Sequence, residues 1–225
     1  MATLGWSWRD VCLPVGSWPR RRTLLRLPEL DLPPQGLVLL LGDPGSGKST
    51  LLRWLWTRWR ERSTRARMVP ERFAFPPGTR LQTLLAGISW PEGLPTAGLD
   101  LAQRVDGLSR GQRQLVALAS LERVPVWLLD EPLLGLDLAQ AHETAGWLQS
   151  LAQDRLIVAA SHRWECFLPL DPYVLVLAEG GCAYQGSLAA LVDQAEARLT
   201  IANAAGELQP PGIDLAAVKR FLALV

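Results

Sequence analysis

The stretch "GDPGSGKST", Gly42 to Thr50, directly follows the apolar run "GLVLLL" and constrains this chain more than any other feature. Gly42-x-x-x-x-Gly47-Lys48-Ser49 matches the phosphate-loop pattern in full. Glycines at those positions let successive backbone N–H groups turn inward as an anion nest. The helix that follows points its positive dipole end at the same anion. Gly42, Asp43, Pro44, Gly45, Ser46, Gly47, Lys48, Ser49 and Thr50 are therefore assigned to the phosphates of a nucleotide. Lys48 has the reach for the outer phosphates, and the Ser49 hydroxyl is a ligand for Mg²⁺.

The run before the loop is short, apolar throughout and closed by Gly, which fits a strand buried on both faces. "KSTLLRWLWTRWR" carries helical apolar spacing after it. The same alternation recurs downstream. "VPVWLLDEP" reads as a buried strand stopped by Pro132, "DLAQAHETAGWLQSLAQ" as a helix and "RLIVAASH" as another buried strand. "SRGQRQLVALASLERV" is a helix with Ser109 as its N-cap. "RMVPERF" begins extended, "TRLQTLLAG" is a short helix, and "SWPEGLPTAGLD" is loop by composition. "YVLVLAEGGCAYQGS" reads as two strands about a Gly-Gly turn. Strands alternating with helices predict a mainly parallel sheet covered on both faces.

A second acidic site falls on that scheme. "VWLLDEP" places Asp130 and Glu131 at the carboxyl end of a buried strand, the edge where open α/β sheets bind ligands. Asp130 is placed to hold Mg²⁺, directly or through water, and Glu131 to act as the base or water-orienting residue.

The bulk properties narrow the classes. A chain of 225 residues with net charge +1 has the size to bury a full core but no global field for nucleic acid or an acidic membrane. The Arg-rich stretch "RWLWTRWRERSTRARM" is either a solvated helix face or a phosphate- or lipid-facing patch. Trp54, Trp56, Trp59 and Trp147 sit at helical spacing and read as core or partner interface. Cys12, Cys166 and Cys182 are scattered, without ligand spacing or a disulfide framework, which fits a reducing compartment. No signal peptide is evident, and every apolar run is far shorter than the roughly 20 residues that span a bilayer. Any membrane-crossing part is expected from another chain.

Taken together, "GDPGSGKST", "LSRGQ" at Leu108–Gln112, "WLLDEP", "LLGLD" and "AASH" follow one another in an order that resembles the ATP-binding cassette (ABC) ATPases, the nucleotide-binding subunits of membrane transporters. The resemblance spans about residues 4 to 190. It implies an α/β P-loop NTPase of the ABC ATPase type: a mainly parallel sheet core, a small antiparallel β lobe and a shortened helical subdomain. The domain is expected over residues 1–202, with the helical subdomain at about 72–108 and an appendage over 203–225. The resemblance also implies ATP and Mg²⁺ as cofactors and a composite site completed in a dimer with a second cassette, identical or different. The other partner implied is a transmembrane permease, placing the chain at the cytoplasmic face of the membrane; no nucleic-acid partner is expected. Ser109, Gly111 and Gln112 resemble the signature that closes over the opposite subunit's γ-phosphate. Asp137 resembles the D-loop aspartate, His162 the switch histidine, and Trp18 the aromatic that stacks on adenine, although core is the plainer role for Trp18.

Two departures from the family stand out. Arg110 occupies the usual third-position Gly of the signature. Glu71, in "MVPERFAFPPG", occupies the place of a glutamine that touches Mg²⁺ and senses the membrane partner. Glu71 either joins Asp130 and Glu131 around Mg²⁺ or swings away to pair with Arg72 or Arg80. Its "PE" resembles exporter-type cassettes. The rival readings are a soluble cassette ATPase acting on nucleic acid or a protein assembly, and a regulatory module that holds ATP without turnover.

Overall fold

A computed structural model describes residues 5–16, 22–62, 64–121 and 123–194. The Trp18 expectation and the 203–225 appendage lie outside those residues.

Strands β1 (Trp6–Val15) and β2 (Arg22–Leu32) form a two-stranded antiparallel sheet. The main sheet has the order β4-β5-β6-β3-β7-β8. Its strands are β3 (Gly36–Leu41), β4 (Ala66–Val69), β5 (Val126–Asp130), β6 (Leu156–Ala160), β7 (Tyr173–Ala178) and β8 (Gly181–Ser187). All neighbours pair in parallel except β7 with β8, which turn back at Glu179–Gly180. The expected parallel sheet is thus present, with one antiparallel edge.

Side-chain alternation explains why the central strands are apolar throughout. In β3, Leu37 and Leu39 join one core while Val38 and Leu40 join the other. In β5, Trp127 and Leu129 face the first core, and Val126 and Leu128 the second. In β6, Ile157 and Ala159 separate from Leu156, Val158 and Ala160 in the same way. A strand with two cores to fill has no solvent face to mark with polar residues.

The first core is closed by helices α3 (Arg110–Ala119) and α4 (Leu138–Leu151), with the 3₁₀ segment Trp164–Leu170 beside them. The second core is closed by helix α1 (Lys48–Glu61) and the β1–β2 sheet. Buried residues Leu51, Leu52, Leu55 and Trp59 give α1 an apolar stripe at helical spacing. Trp59 meets Trp6 and Trp8 edge to face, with ring centroids 5.6 and 5.5 Å apart. The Arg-rich stretch resolves in part into ring contacts. Arg58, Arg60 and Arg62 lie over Trp54, Trp56 and Trp8 at 5.6, 5.0 and 5.2 Å.

The expected helical subdomain is reduced to the single turn α2 (Leu81–Leu84), loops and the 3₁₀ turn Val105–Gly107. Backbone bonds Leu81 N–H to Gln103 O and Val105 N–H to Thr79 O tie its ends together. A small satellite core of Leu81, Leu85, Val105, Leu108 and Val116 seats it on α3. Among the described residues no helix is long and apolar enough to cross a membrane.

Candidate nucleotide site

The carboxyl ends of β3, β5 and β6 carry three segments that face one another: the loop Gly42–Gly47, the turn from Glu131, and Ser161–His162. Each is shaped by its own local constraint.

The phosphate loop leaves β3 at Gly42, whose φ is +139°. A Cβ there would lie 2.3 Å from the Leu177 carbonyl oxygen, so the loop packs backbone to backbone on β7 and only glycine fits. Helix α1 begins after Gly47 and has no side-chain cap, which leaves its first N–H groups open to an external acceptor. The Lys48 ammonium donates to the Gly42 and Asp43 carbonyls at 2.6 and 3.1 Å, so it bridges the loop from below. Burial pushes its pKa down, opposed by the charges of Glu131, Asp130 and Asp43. The Ser46 hydroxyl is buried and has no protein partner, as a group waiting for a phosphate oxygen would.

Asp130 and Ser49 meet although 81 residues separate them: the Ser49 hydroxyl donates to Asp130 Oδ1 at 3.1 Å. A hydroxyl and a nearly buried carboxylate side by side are the hard oxygen donors that suit Mg²⁺. Glu131 follows with φ +54°, a conformation disfavoured for a residue with a side chain. Two bonds hold it: its own N–H donates to the Ala160 carbonyl at 2.8 Å, and its Oε2 accepts from the His162 backbone N–H at 3.2 Å. Its Oε1 lies 3.5 Å from His162 Nε2. Glu131 is 7% exposed, and burial raises its pKa; the His162 N–H, the His162 and Lys48 charges oppose that shift, and Asp130 adds to it. The structure therefore brings Lys48, Ser49, Asp130, Glu131 and His162 together, in a strained turn that aims a desolvated carboxylate at the loop.

The signature residues take structural roles here. Ser109 caps α3: its hydroxyl accepts from the Gln112 N–H at 3.1 Å, and the Ser109 N–H donates to Gln112 Oε1 at 3.0 Å, a closed capping box. Gln112 Nε2 donates to the Ala97 carbonyl, so its amide is engaged at both ends. A Cβ on Gly111 would lie 2.4 Å from the Gly135 carbonyl oxygen, so α3 and the turn before α4 touch through their backbones. Asp137 caps α4 by accepting from the Gln140 N–H at 2.8 Å.

Glu71 departs from both expected placements. Its Oε1 lies 3.3 Å from Arg110 Nη2, not against Arg72 or Arg80. Among the described residues no three His, Cys, Asp or Glu side chains gather as metal ligands, so Glu71, Asp130 and Glu131 do not form a cluster. The reason is local: Arg110 at the start of α3 offers Glu71 a cation. One further residue escaped the sequence reading. Arg163 donates to the Leu136 carbonyl at 2.7 Å and pins the turn between Glu131 and Asp137. Its only signal was a place beside His162.

A family profile described as ABC transporter matches residues 25–134. The zinc import ATP-binding protein ZnuC of Halorhodospira halophila is 29% identical over 197 residues, covering 78% of this chain and 76% of that protein. The cytochrome c biogenesis ATP-binding export protein CcmA of Novosphingobium aromaticivorans is 35% identical over 159 residues, covering 63% of this chain and 82% of that protein. The chain spans a smaller part, 55%, of the molybdenum import ATP-binding protein ModC of Thiobacillus denitrificans, at 31% identity over 71% of this chain. An ATP-binding cassette solved as a dimer in a post-hydrolysis state with ADP and Pi superposes with a TM-score of 0.64 at 18% identity, over 81% of this chain and 98% of that one. The phosphate loop, the acidic strand end and the cap of α3 all lie inside the matched segment, and the chain belongs to the ABC transporter family, as an ATP-binding ATPase subunit.

Proposed function

We propose that this chain drives a membrane transporter by cycling between an ATP-closed dimer and an open state, with Glu131 as the residue that aligns the attacking water. The observation that carries the reading is the contact set Ser49–Asp130 and Glu131–His162 at one sheet edge. Ser49 and Asp130 would hold Mg²⁺, which would supply charge neutralisation at the phosphates. The loop amides and Lys48 bind and orient the nucleotide. Ionised Glu131 accepts a hydrogen bond from water in line with the γ-phosphate, and the backbone N–H and ring of His162 hold that carboxylate in place. Catalysis of this kind is mainly positioning and charge stabilisation.

Ser109, Gly111 and Asp137 belong in this reading to the face that meets a second cassette, and Trp18 to the adenine. A separate transmembrane chain follows the opening and closing from the cytoplasmic side. The printed names of the relatives cover both import and export, so the reading is confined to the ATP-driven step.

Two variants test it together. Lys48→Ala removes a charge-assisted phosphate contact and weakens ATP binding by about tenfold or more. Glu131→Gln retains binding and lowers turnover by about two orders of magnitude or more. Light scattering of Glu131→Gln with saturating MgATP gives a dimer. Wild-type turnover in Glu131→Gln removes that residue from the role, and a strict monomer removes the homodimeric site.

A further inference from the structure

Two residues that depart from the family pattern meet in space. Glu71 follows β4 and Arg110 opens α3, 39 positions later, and their charged groups lie 3.3 Å apart. We propose that the Glu71–Arg110 ion pair is a positioning pair that couples the loop after β4, in which Glu71 takes the place of the family's partner-sensing glutamine, to the signature end of α3. The inference rests on the composite-site reading given above.

Three observations support it. First, the charge at Arg110 is ill placed for the helix alone. A cation in the first turn opposes the helix dipole, and α3 has no acidic residue there to offset it. An external carboxylate, Glu71, supplies the counter-charge. Second, Arg110 is anchored at its stem. A Cβ on Gly135 would lie 3.0 Å from Arg110 Cβ and 3.1 Å from its Cγ, so the aliphatic stem lies against the turn that leads to Asp137. Arg110 thus touches the Glu71 loop with its head and the Asp137 turn with its stem. Third, Ser109 is the neighbour of Arg110 and is fixed by the capping box, so any shift of the start of α3 moves its hydroxyl and N–H groups together. Motion of the loop is then transmitted as a pull on one charged side chain. The helical segment that would otherwise brace this helix is short: α2 is a single turn.

The pair is half exposed, with 58% and 41% of its side chains open to solvent. Such a pair is worth little in stability, so its effect on turnover is expected at about two- to fivefold. It is also expected to fade with salt.

The test is a double-mutant cycle on the full chain. Glu71→Gln, Arg110→Met and the double variant keep side-chain volume, and the swap Glu71→Arg with Arg110→Glu restores the attraction. Each is measured for kcat, for KM and for ATP affinity at the isolated site, with melting to confirm folding. The expected result is that both single variants lose about two- to fivefold in kcat with little change in ATP affinity, that the double loses no more than either, and that the swap regains most of the loss. The parent-to-double ratio falls toward one as NaCl rises. Additive single effects with no rescue by the swap overturn the proposal. ATP-driven dimerisation of Glu131→Gln separates the two levels: if it fails, the composite-site reading fails; if it succeeds while the cycle is additive, only the ion-pair proposal fails.

Discussion

At Glu131, burial and function pull in opposite directions. The side chain is 7% exposed and its pKa is raised, first by desolvation, with the His162 and Lys48 charges opposing. A carboxyl whose folded pKa lies above its unfolded value binds more protons in the folded state across that window. Stability from this group is therefore present at low pH and declines as pH rises through the window. Glu131→Gln has no such term. Its melting temperature relative to the parent should rise from pH 5 to pH 7.5, and differential calorimetry at both values checks the sign. The same ionisation gives turnover an acid limb above the ordinary carboxylate range, since only the ionised form accepts from water. An equal melting difference at the two pH values would show that the Glu131 charge is not strained by burial. Lys48 meets the same cost: burial pushes its pKa down, and the charges of Glu131, Asp130 and Asp43 oppose that while its ammonium bridges two loop carbonyls.

Elements were legible where one periodicity held over their whole length. β3, β5 and β6 read as buried strands because two cores require apolar residues on both faces, and α1 and α4 carry helical stripes, while α3 is buried on nearly every side from Gln114 to Ala119. The capping residue Ser109 was visible because a cap is local chemistry. β1 and β2 were not readable as strands, for a specific reason. Buried positions run Trp8, then Val11 and Leu13, and in β2 Leu25 and Leu27, then Leu30 and Leu32. Both strands change parity between the rungs Arg9–Glu29 and Val11–Leu27, where Asp10 has φ +53°. A period of two that reverses midway leaves no stripe to count. In the site, the residues of contiguous motifs were legible, and the partners of Glu71 and Arg163 were not, because they come from segments joined only by the fold. The contact between α3 and the turn before α4 is of that kind and is testable. Gly111→Ala forces a methyl to 2.4 Å from the Gly135 carbonyl oxygen, backbone against backbone with no side chain to yield. Overpacking of this sort costs about 1–3 kcal/mol. A drop of several degrees in melting temperature is expected together with loss of ATPase, although no polar group is removed. Full stability in Gly111→Ala would mean that the two segments separate freely.

On the scale of the whole molecule, the question is whether the small β1–β2 sheet is an attachment or part of one folding unit. A two-stranded sheet alone is marginal in water. This one contributes Val11, Leu13, Leu25, Leu27, Leu30 and Leu32 to the same core as Val38 and Leu40 of β3, with α1 between. Trp59 is the joint: it is fully buried on α1 and lies edge-on to Trp6 and Trp8 of β1. A backbone bond also joins the parts, where the Arg26 N–H donates to the Gly180 carbonyl at 2.7 Å. Trp59→Ala should therefore remove about 3–5 kcal/mol, the usual cost of deleting a large buried aromatic. Because one core serves both sheets, that loss should displace a single transition and not split it. Guanidinium unfolding followed by tryptophan fluorescence and by far-ultraviolet circular dichroism checks this. Coincident midpoints, both lowered, are expected. Midpoints that part in the variant, with fluorescence changing first, would show that the small sheet can leave while the main sheet stays folded. The phosphate loop lies where α1 begins, so a sheet docked on α1 bears on the nucleotide site through that helix.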